Sequence, residues 1–215
     1  MDILQELDKA GAVYLDRHFI YTSGKHGSGY INLDPIYTNV SLVSDLCREL
    51  IAPFHGQVDT VAAPAVGGIV LAVLSARAFA DKGEDVAITW ADKADGEFIF
   101  ERAGFAQKLV GKRVLVVEDL LTTGGSVDKV CRAVEAAGGQ LVGISVVCNR
   151  GDLTAEKLGV PKFEALASVS FSAMDPASCE LCDKKVPIVE DIGHGADYKA
   201  EHPGYTGGYI KLLGA

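Results

Sequence analysis

The chain has 215 residues, 48% of them hydrophobic and 23% charged, with a formal net charge of −9. That length carries one large domain with a substantial core and excludes two full-sized ones, and the composition excludes a disordered or fibrous protein. The acidic balance excludes a general attraction to nucleic acid phosphates, so an anionic ligand has to be held by a local arrangement of donors.

The opening stretch MDILQELDKAG predicts an acidic amphipathic helix. Neither a secretory leader nor an apolar run of membrane-spanning length is legible. The five cysteines, with Cys47, Cys131 and Cys148 inside apolar stretches, predict reduced thiols in a cytoplasmic protein with no membrane partner. Further along, VDTVAAPAVGGIVLAVLSARAFA reads as strand, Gly-containing turn and helix, and DVAITWAD as another strand. The same order returns in KRVLVVEDLLTTGGSVDKVCRAVEAAGG. Val114 to Val117 run without alternation, as buried parallel strands do, and Val127 to Ala137 carry a helical face that stops at Gly138 and Gly139. The next strand follows in QLVGISVVCNRG. This alternation predicts an α/β fold, a mostly parallel sheet flanked by helices. Residues 51–165 form its core, and residues 1–50 and 166–215 fall outside it as a small cap or hood from the two ends, within one structural unit overall.

In such sheets ligands bind beyond the carboxyl ends of the strands. Glu118 and Asp119 sit at that point, where the buried strand is expected to end, and Thr122, Thr123, Gly124, Gly125 and Ser126 follow. The glycines permit close backbone approach, and the next helix offers unpaired N–H groups and a positive dipole end, which together make a phosphate cradle. The patterns GxxxxGK[ST] and GxGxxG are absent, which disfavours nucleoside triphosphatases and nicotinamide enzymes and leaves a phosphate monoester. Carboxylates accept hydrogen bonds and do not donate them, so adjacent sugar hydroxyls are natural partners for the acidic pair, and a ribose 5-phosphate satisfies both halves of the stretch. The alternative is plain: an acidic pair capping a turn, ahead of an ordinary helix N-terminus.

VLVVEDLLTTGGS resembles the phosphoribosyl pyrophosphate motif of the type I phosphoribosyltransferases. Within that fold the orotate phosphoribosyltransferases are the nearest likeness, through HFIYTSGKHGSGYINLD, the APAVGGI loop, GFAQKLVGKRV, CNRG and DPASCELC, over roughly residues 5–190. The resemblance implies transfer of ribose 5-phosphate from phosphoribosyl pyrophosphate to orotate, with Mg²⁺ carried mainly by substrate oxygens and no metal held by protein ligands alone. It assigns Glu118 and Asp119 to the ribose hydroxyls and residues 122–126 to the 5-phosphate. It further assigns Lys25 to the pyrophosphate and orotate side, Tyr30 and Ile31 to the base, Arg150 to the orotate carboxylate, and the backbone of Ala65, Val66, Gly67 and Gly68 to the pyrophosphate. A non-proline cis peptide is expected in that last loop.

The family's mobile basic loop corresponds to ADKADGEFIFERAGF, residues 91–105, where Lys93 and Arg102 are the basic residues beside Asp92, Asp95, Glu97 and Glu101. In the family this loop acts from a neighbouring subunit, which implies a homodimer. Two other readings stay open. One is a regulatory protein that binds phosphoribosyl pyrophosphate as an effector, disfavoured by the lack of a spare domain or basic face. The other is transfer to a different base, disfavoured by Lys25 and Arg150, which suit an acidic one.

CELC, Cys179 and Cys182, has the spacing of half a zinc site, with His194 and His202 downstream and no second CxxC. The simplest reading is a fold element with two free thiols; a metal or a disulfide is the alternative. The glycine-rich tail places Tyr198, Tyr205 and Tyr209 for packing on the body, in preference to a partner subunit.

Overall fold

A computed structural model describes residues 1–213, and they divide into two compact units, residues 1–35 with 171–213 and residues 36–170. The first unit begins with helix α1 (Ile3–Lys9), whose N-cap Asp2 accepts a hydrogen bond from the Gln5 backbone N–H, with Ile3 and Leu7 buried. Four two-residue strands follow: β1 (Val13–Tyr14), β2 (Phe19–Ile20), β3 (His26–Gly27) and β4 (Tyr30–Ile31), paired antiparallel as β1 with β4 and β2 with β3.

The second unit opens with helix α2 (Val40–Ile51), capped by Asn39, which buries Leu42, Val43, Leu46, Cys47, Leu50 and Ile51. Then come β5 (Thr60–Pro64), α3 (Gly67–Ala80), β6 (Ala87–Ala94), β7 (Glu97–Ile99), β8 (Arg113–Leu121), α4 (Gly125–Ala136), β9 (Gln140–Asn149), the short α5 (Ala155–Leu158) and β10 (Phe163–Ser168). The six strands form one sheet in the order β10-β9-β8-β5-β6-β7, parallel throughout except for β7 against β6. Val114 to Val117 are fully buried. Alternation sends Val114 and Val116 into a cluster with Val127, Val130 and Val134 of α4 and the other two to the opposite face, so a central strand covered on both sides needs an unbroken apolar run. Helix α4 stops where expected: Gly138, at φ +81, lets its own N–H and that of Gly139 return to the Glu135 and Val134 carbonyls.

The chain then returns to the first unit with α6 (Glu180–Asp183), β11 (Ile188–Val189), α7 (Gly195–Glu201) and β12 (Tyr209–Ile210), β11 pairing parallel with β12. Phe19, Tyr21, Val189 and Ile192 form a buried cluster there, with Phe171, Ile210 and Leu212 packed against it. Residues 36–50, read with the N-terminal cap, fall with the sheet because α2 buries its apolar face in that unit; the C-terminal boundary falls at 170/171.

Three local differences from the expected elements have physical causes. β8 continues through the acidic pair to Leu121, because Glu118, Leu120 and Leu121 stay in register with Val146, Cys148 and Asn149 of β9. The pair therefore lies inside the strand's last turn of pleat and not after its end. Residues 91–105 are built partly as a hairpin: β6 and β7 are joined by Asp95 and Gly96, both at positive φ (50° and 82°), the conformation of a two-residue primed turn. The Ala65–Val66 peptide bond is cis, as expected for that loop.

Candidate active site

Three βα or strand-end connections meet at the carboxyl end of the parallel strands in the second unit. Asp119, on β8, is half-buried, and its Oδ2 accepts a hydrogen bond of 3.1 Å from the Tyr37 hydroxyl. The Leu120 backbone N–H donates to Asp119 Oδ1 at 2.6 Å, and the Asp119 N–H donates to Glu118 Oε1 at 3.1 Å. Tyr37, on the 3-10 turn Asp34–Thr38, is pushed well above the ordinary phenol range by burial and by the Asp119 charge, so it stays a donor and fixes the carboxylate's orientation. Glu118 is 8% exposed, and burial followed by the Asp119 charge raises its carboxyl well above the usual range.

A buried carboxyl with a raised pKa favours the folded state below its unfolded pKa and loses that advantage as pH rises through the folded one. At neutral pH the empty site is thus held at a cost in stability. Glu118→Gln is expected to raise the melting temperature at pH 7 by about 2–4 °C, which corresponds to about 1 kcal/mol for a chain of this size. Its gain over the parent should vanish near pH 4, and thermal scans at the two pH values read the difference.

The cradle follows directly. Gly124 takes the left-handed conformation (φ 77°, ψ 0°) at the N-cap of α4, and no side chain caps the first helical turn. The N–H groups at that end therefore point at an open site with the positive end of the helix dipole. Thr122, Thr123, Gly125 and Ser126 are exposed around it, with Thr123 Oγ1 3.4 Å from the Gly125 N–H. The β5–α3 loop lies beside the acidic pair: a Cβ on Gly67 would stand 3.2 Å from Asp119 Oδ2, and one on Gly68 would stand 2.8 Å from the Ala63 Cβ. Glycine at 67 lets the loop approach the carboxylate, and glycine at 68 lets the start of α3 pack on the end of β5.

The turn after β9 closes the group. Asn149, 6% exposed, donates from Nδ2 to the Leu153 carbonyl (2.9 Å) and accepts at Oδ1 from the N–H groups of Gly151 and Leu153. The Arg150 N–H donates to the Leu121 carbonyl at 2.7 Å, and Gly151 packs so closely on Thr122 that a Cβ there would stand 1.7 Å from its carbonyl oxygen. This turn braces the first residue of the cradle.

Arg102, in the segment that follows β7, makes a paired contact with Asp92 of β6, Nε to Oδ2 at 2.9 Å and Nη2 to Oδ1 at 3.2 Å, with its guanidinium 5.2 Å from the Trp90 ring centre. Lys93 is exposed. In the first unit, Lys25 is 3.6 Å from Asp175 in an exposed ion pair worth little to stability, and Tyr30 is half-buried with its ring 5.5 Å from that of Phe19. Ile31 is 1% exposed and pairs with Val13, so backbone is what it can present to a ligand. Of the residues read from the sequence, Glu118, Asp119, residues 65–68, residues 122–126 and Arg150 thus share one end of the sheet, whereas Lys25, Tyr30 and Ile31 belong to the first unit. Tyr37, Asn149 and Gly151 are additions. Nothing local marks Tyr37, which meets Asp119 across 82 positions; the CNRG turn was visible, but not the bracing by its Asn and Gly.

The family described as phosphoribosyl transferase domain matches residues 33–176. The orotate phosphoribosyltransferase of Desulforamulus reducens is 37% identical over 190 residues, 88% of this chain and 94% of the relative. That of Pelotomaculum thermopropionicum is 36% identical, with 88% and 95% covered. The fold is similar to the orotate phosphoribosyltransferase structure from Aeropyrum pernix (TM-score 0.58, 23% identity, 77% of this chain and 93% of that one). It is also similar to the Mycobacterium tuberculosis enzyme crystallised with Fe(III) dicitrate (TM-score 0.59, 23% identity, 79% and 97% covered). An acidic pair on a central strand, a glycine-led helix start beside it and relatives matched over nearly their whole length converge: this chain belongs to the orotate phosphoribosyltransferase family of type I phosphoribosyltransferases.

Proposed function

We propose that the chain transfers the ribose 5-phosphate group of phosphoribosyl pyrophosphate to N1 of orotate, giving orotidine 5′-phosphate and pyrophosphate in pyrimidine synthesis. The observation that carries this reading is the Glu118–Asp119 pair at the end of β8, running straight into a helix start that no side chain caps. Residues 122–126 take the 5-phosphate, and the carboxylates accept from the ribose hydroxyls, with Tyr37 holding Asp119 in place. The C1–O bond to pyrophosphate breaks as the C1–N1 bond forms, the N1 proton of orotate passes to the departing pyrophosphate or to water, and the positive charge that develops on the sugar is stabilised by the acidic pair. No covalent nucleophile is required; the protein positions two ligands and stabilises charge.

The leaving pyrophosphate is received by the backbone of residues 65–68 and by Lys93 and Arg102. Arg102 has to exchange its Asp92 contact for the ligand. Arg150 takes the orotate carboxylate, and Lys25, Tyr30 and Ile31 of the first unit keep the substrate-binding roles that the family likeness gives them. The carboxylates of Glu118 and Asp119 are the oxygen ligands that would help hold Mg²⁺ brought in with the substrate, and the ion would neutralise charge on the diphosphate. The protein works in the cytoplasm, a reading that its cysteines, none of them in a disulfide, support, and the homodimer follows from the family likeness alone. Among the described residues no helix is long and apolar enough to cross a membrane.

A competition assay tests the base. Protein, phosphoribosyl pyrophosphate and Mg²⁺ are incubated with equal amounts of orotate, uracil and adenine, and the nucleotides are identified by mass. Orotidine 5′-phosphate as the dominant product is expected; a uridine or adenosine monophosphate as the main product would reassign the substrate.

A further inference from the structure

The CELC pair meets two histidines that the sequence separates from it by more than 150 positions. His18 beside β2, His26 on β3, and Cys179 and Cys182 around α6 bring one ligand atom each to within 4.8 Å of one another, with all but Cys182 buried. Cys182 Sγ is 3.3 Å from His26 Nδ1 and 3.9 Å from His18 Nε2, and Cys179 Sγ is 3.7 Å from His18 Nε2. A tetrahedron with metal–sulfur bonds of about 2.3 Å and metal–nitrogen bonds of about 2.0–2.1 Å has edges of about 3.3–3.8 Å, close to these separations. The two ring nitrogens, at 2.9 Å, stand closer than that range and would have to part by about 0.4 Å around an ion.

The surroundings orient the ligands. His18 Nδ1 lies 3.0 Å from the Val186 carbonyl, which can only accept, so Nδ1 carries the proton and the Nε2 lone pair faces the cluster. The same carbonyl accepts from the Tyr205 hydroxyl at 2.8 Å, and the rings of Tyr205 and Tyr198 stand edge-on to His18 and His26. The tail tyrosines are thereby accounted for as packing within this unit. His26 faces the cluster through Nδ1, 2.9 Å from His18 Nε2, while its buried Nε2 on the far side of the ring meets no hydrogen-bond partner.

We propose that His18, His26, Cys179 and Cys182 form a closed four-ligand site for one zinc ion that ties the β2–β3 hairpin to α6. Two soft sulfurs and two imidazoles at tetrahedral spacing suit zinc over hard cations. With four protein ligands no coordination position remains for water or substrate, so the ion is structural. It joins segments more than 150 residues apart in a unit with small strands, where a cross-link contributes most. His194, hydrogen-bonded to Asp197, and His202, stacked on Tyr198, are not the completing ligands that their downstream position suggested.

Protein reconstituted with zinc and passed over a chelating resin is expected to keep about one ion per chain by plasma mass spectrometry. Replacement by Co²⁺ should give the visible bands and thiolate charge-transfer absorption of a tetrahedral site. The Cys179→Ser/Cys182→Ser double variant should lose the ion, and stripping the parent should lower its melting temperature. If the variant does not fold, the cobalt spectrum of the parent decides alone. A metal content below about a tenth of an equivalent, an octahedral cobalt spectrum, a Cys179–Cys182 disulfide in protein purified without reductant, or full retention by the double variant would overturn the site. None of these readouts uses orotate, so they stand apart from the catalytic proposal.

Discussion

Gly151→Ala is expected to cripple the protein, although it adds one methyl group to a surface turn. That methyl would sit 1.7 Å from the Thr122 carbonyl oxygen, a backbone atom that cannot rotate away. The 149–151 turn and the start of the cradle must therefore separate. The Asn149 side chain, bonded to Gly151 and Leu153, resists this on one side, and the Arg150 N–H to Leu121 bond resists it on the other. Overpacking of this kind costs about 1–3 kcal/mol, or a fall of about 2–10 °C in melting temperature for a chain of this length. Function should suffer more, because a displacement near 1 Å in a binding loop can cost about a hundredfold. The Michaelis constant for phosphoribosyl pyrophosphate should rise at least tenfold. Gly204→Ala is the control: a Cβ there meets nothing within 4 Å and no positive φ is required, so its change should stay within about 0.5 kcal/mol. Equal behaviour of the two variants would show that the turn does not brace the cradle.

The second large effect is at Asp119. Replacing it by Asn keeps the shape and a Tyr37 contact but removes the charge that faces the developing cation, and loss of one such electrostatic group typically costs about 10²–10³ in kcat. The fold should survive. Glu118 loses the like charge beside it, so its carboxyl returns toward the ordinary range and ionises more readily. The variant's residual activity should then level off at lower pH than the parent's, which a pH–rate profile would read.

Much of this site was legible in the order of residues. The unbroken Val114–Val117 run, the acidic pair and TTGGS form one local stretch, and strand, loop and helix start are adjacent in chain and in space. The boundary of β8 was less legible: the acidic side chains suggested an end, but register with β9 carries the strand through them, since pairing is set by the neighbour and not by polarity alone. The β6–β7 hairpin had a signal, Asp95-Gly96 between alternating residues, that was outweighed by the reading of the stretch as a mobile loop. Tyr37 and the two histidines of the metal cluster had none. Each reaches its partner through tertiary packing over 82 to more than 150 positions, and half a zinc motif invites a search downstream when its other half lies near the start of the chain.

The account rests on orotate transfer through the acidic pair. The most direct measurement is the initial loss of orotate absorbance with phosphoribosyl pyrophosphate and Mg²⁺, run for the parent and Asp119→Asn beside calorimetric binding of phosphoribosyl pyrophosphate to both. The account predicts a steady loss in the parent, a rate about 10²–10³ lower in the variant, and binding that persists in each. No loss in the parent despite binding, or an unchanged rate in the variant, would contradict it.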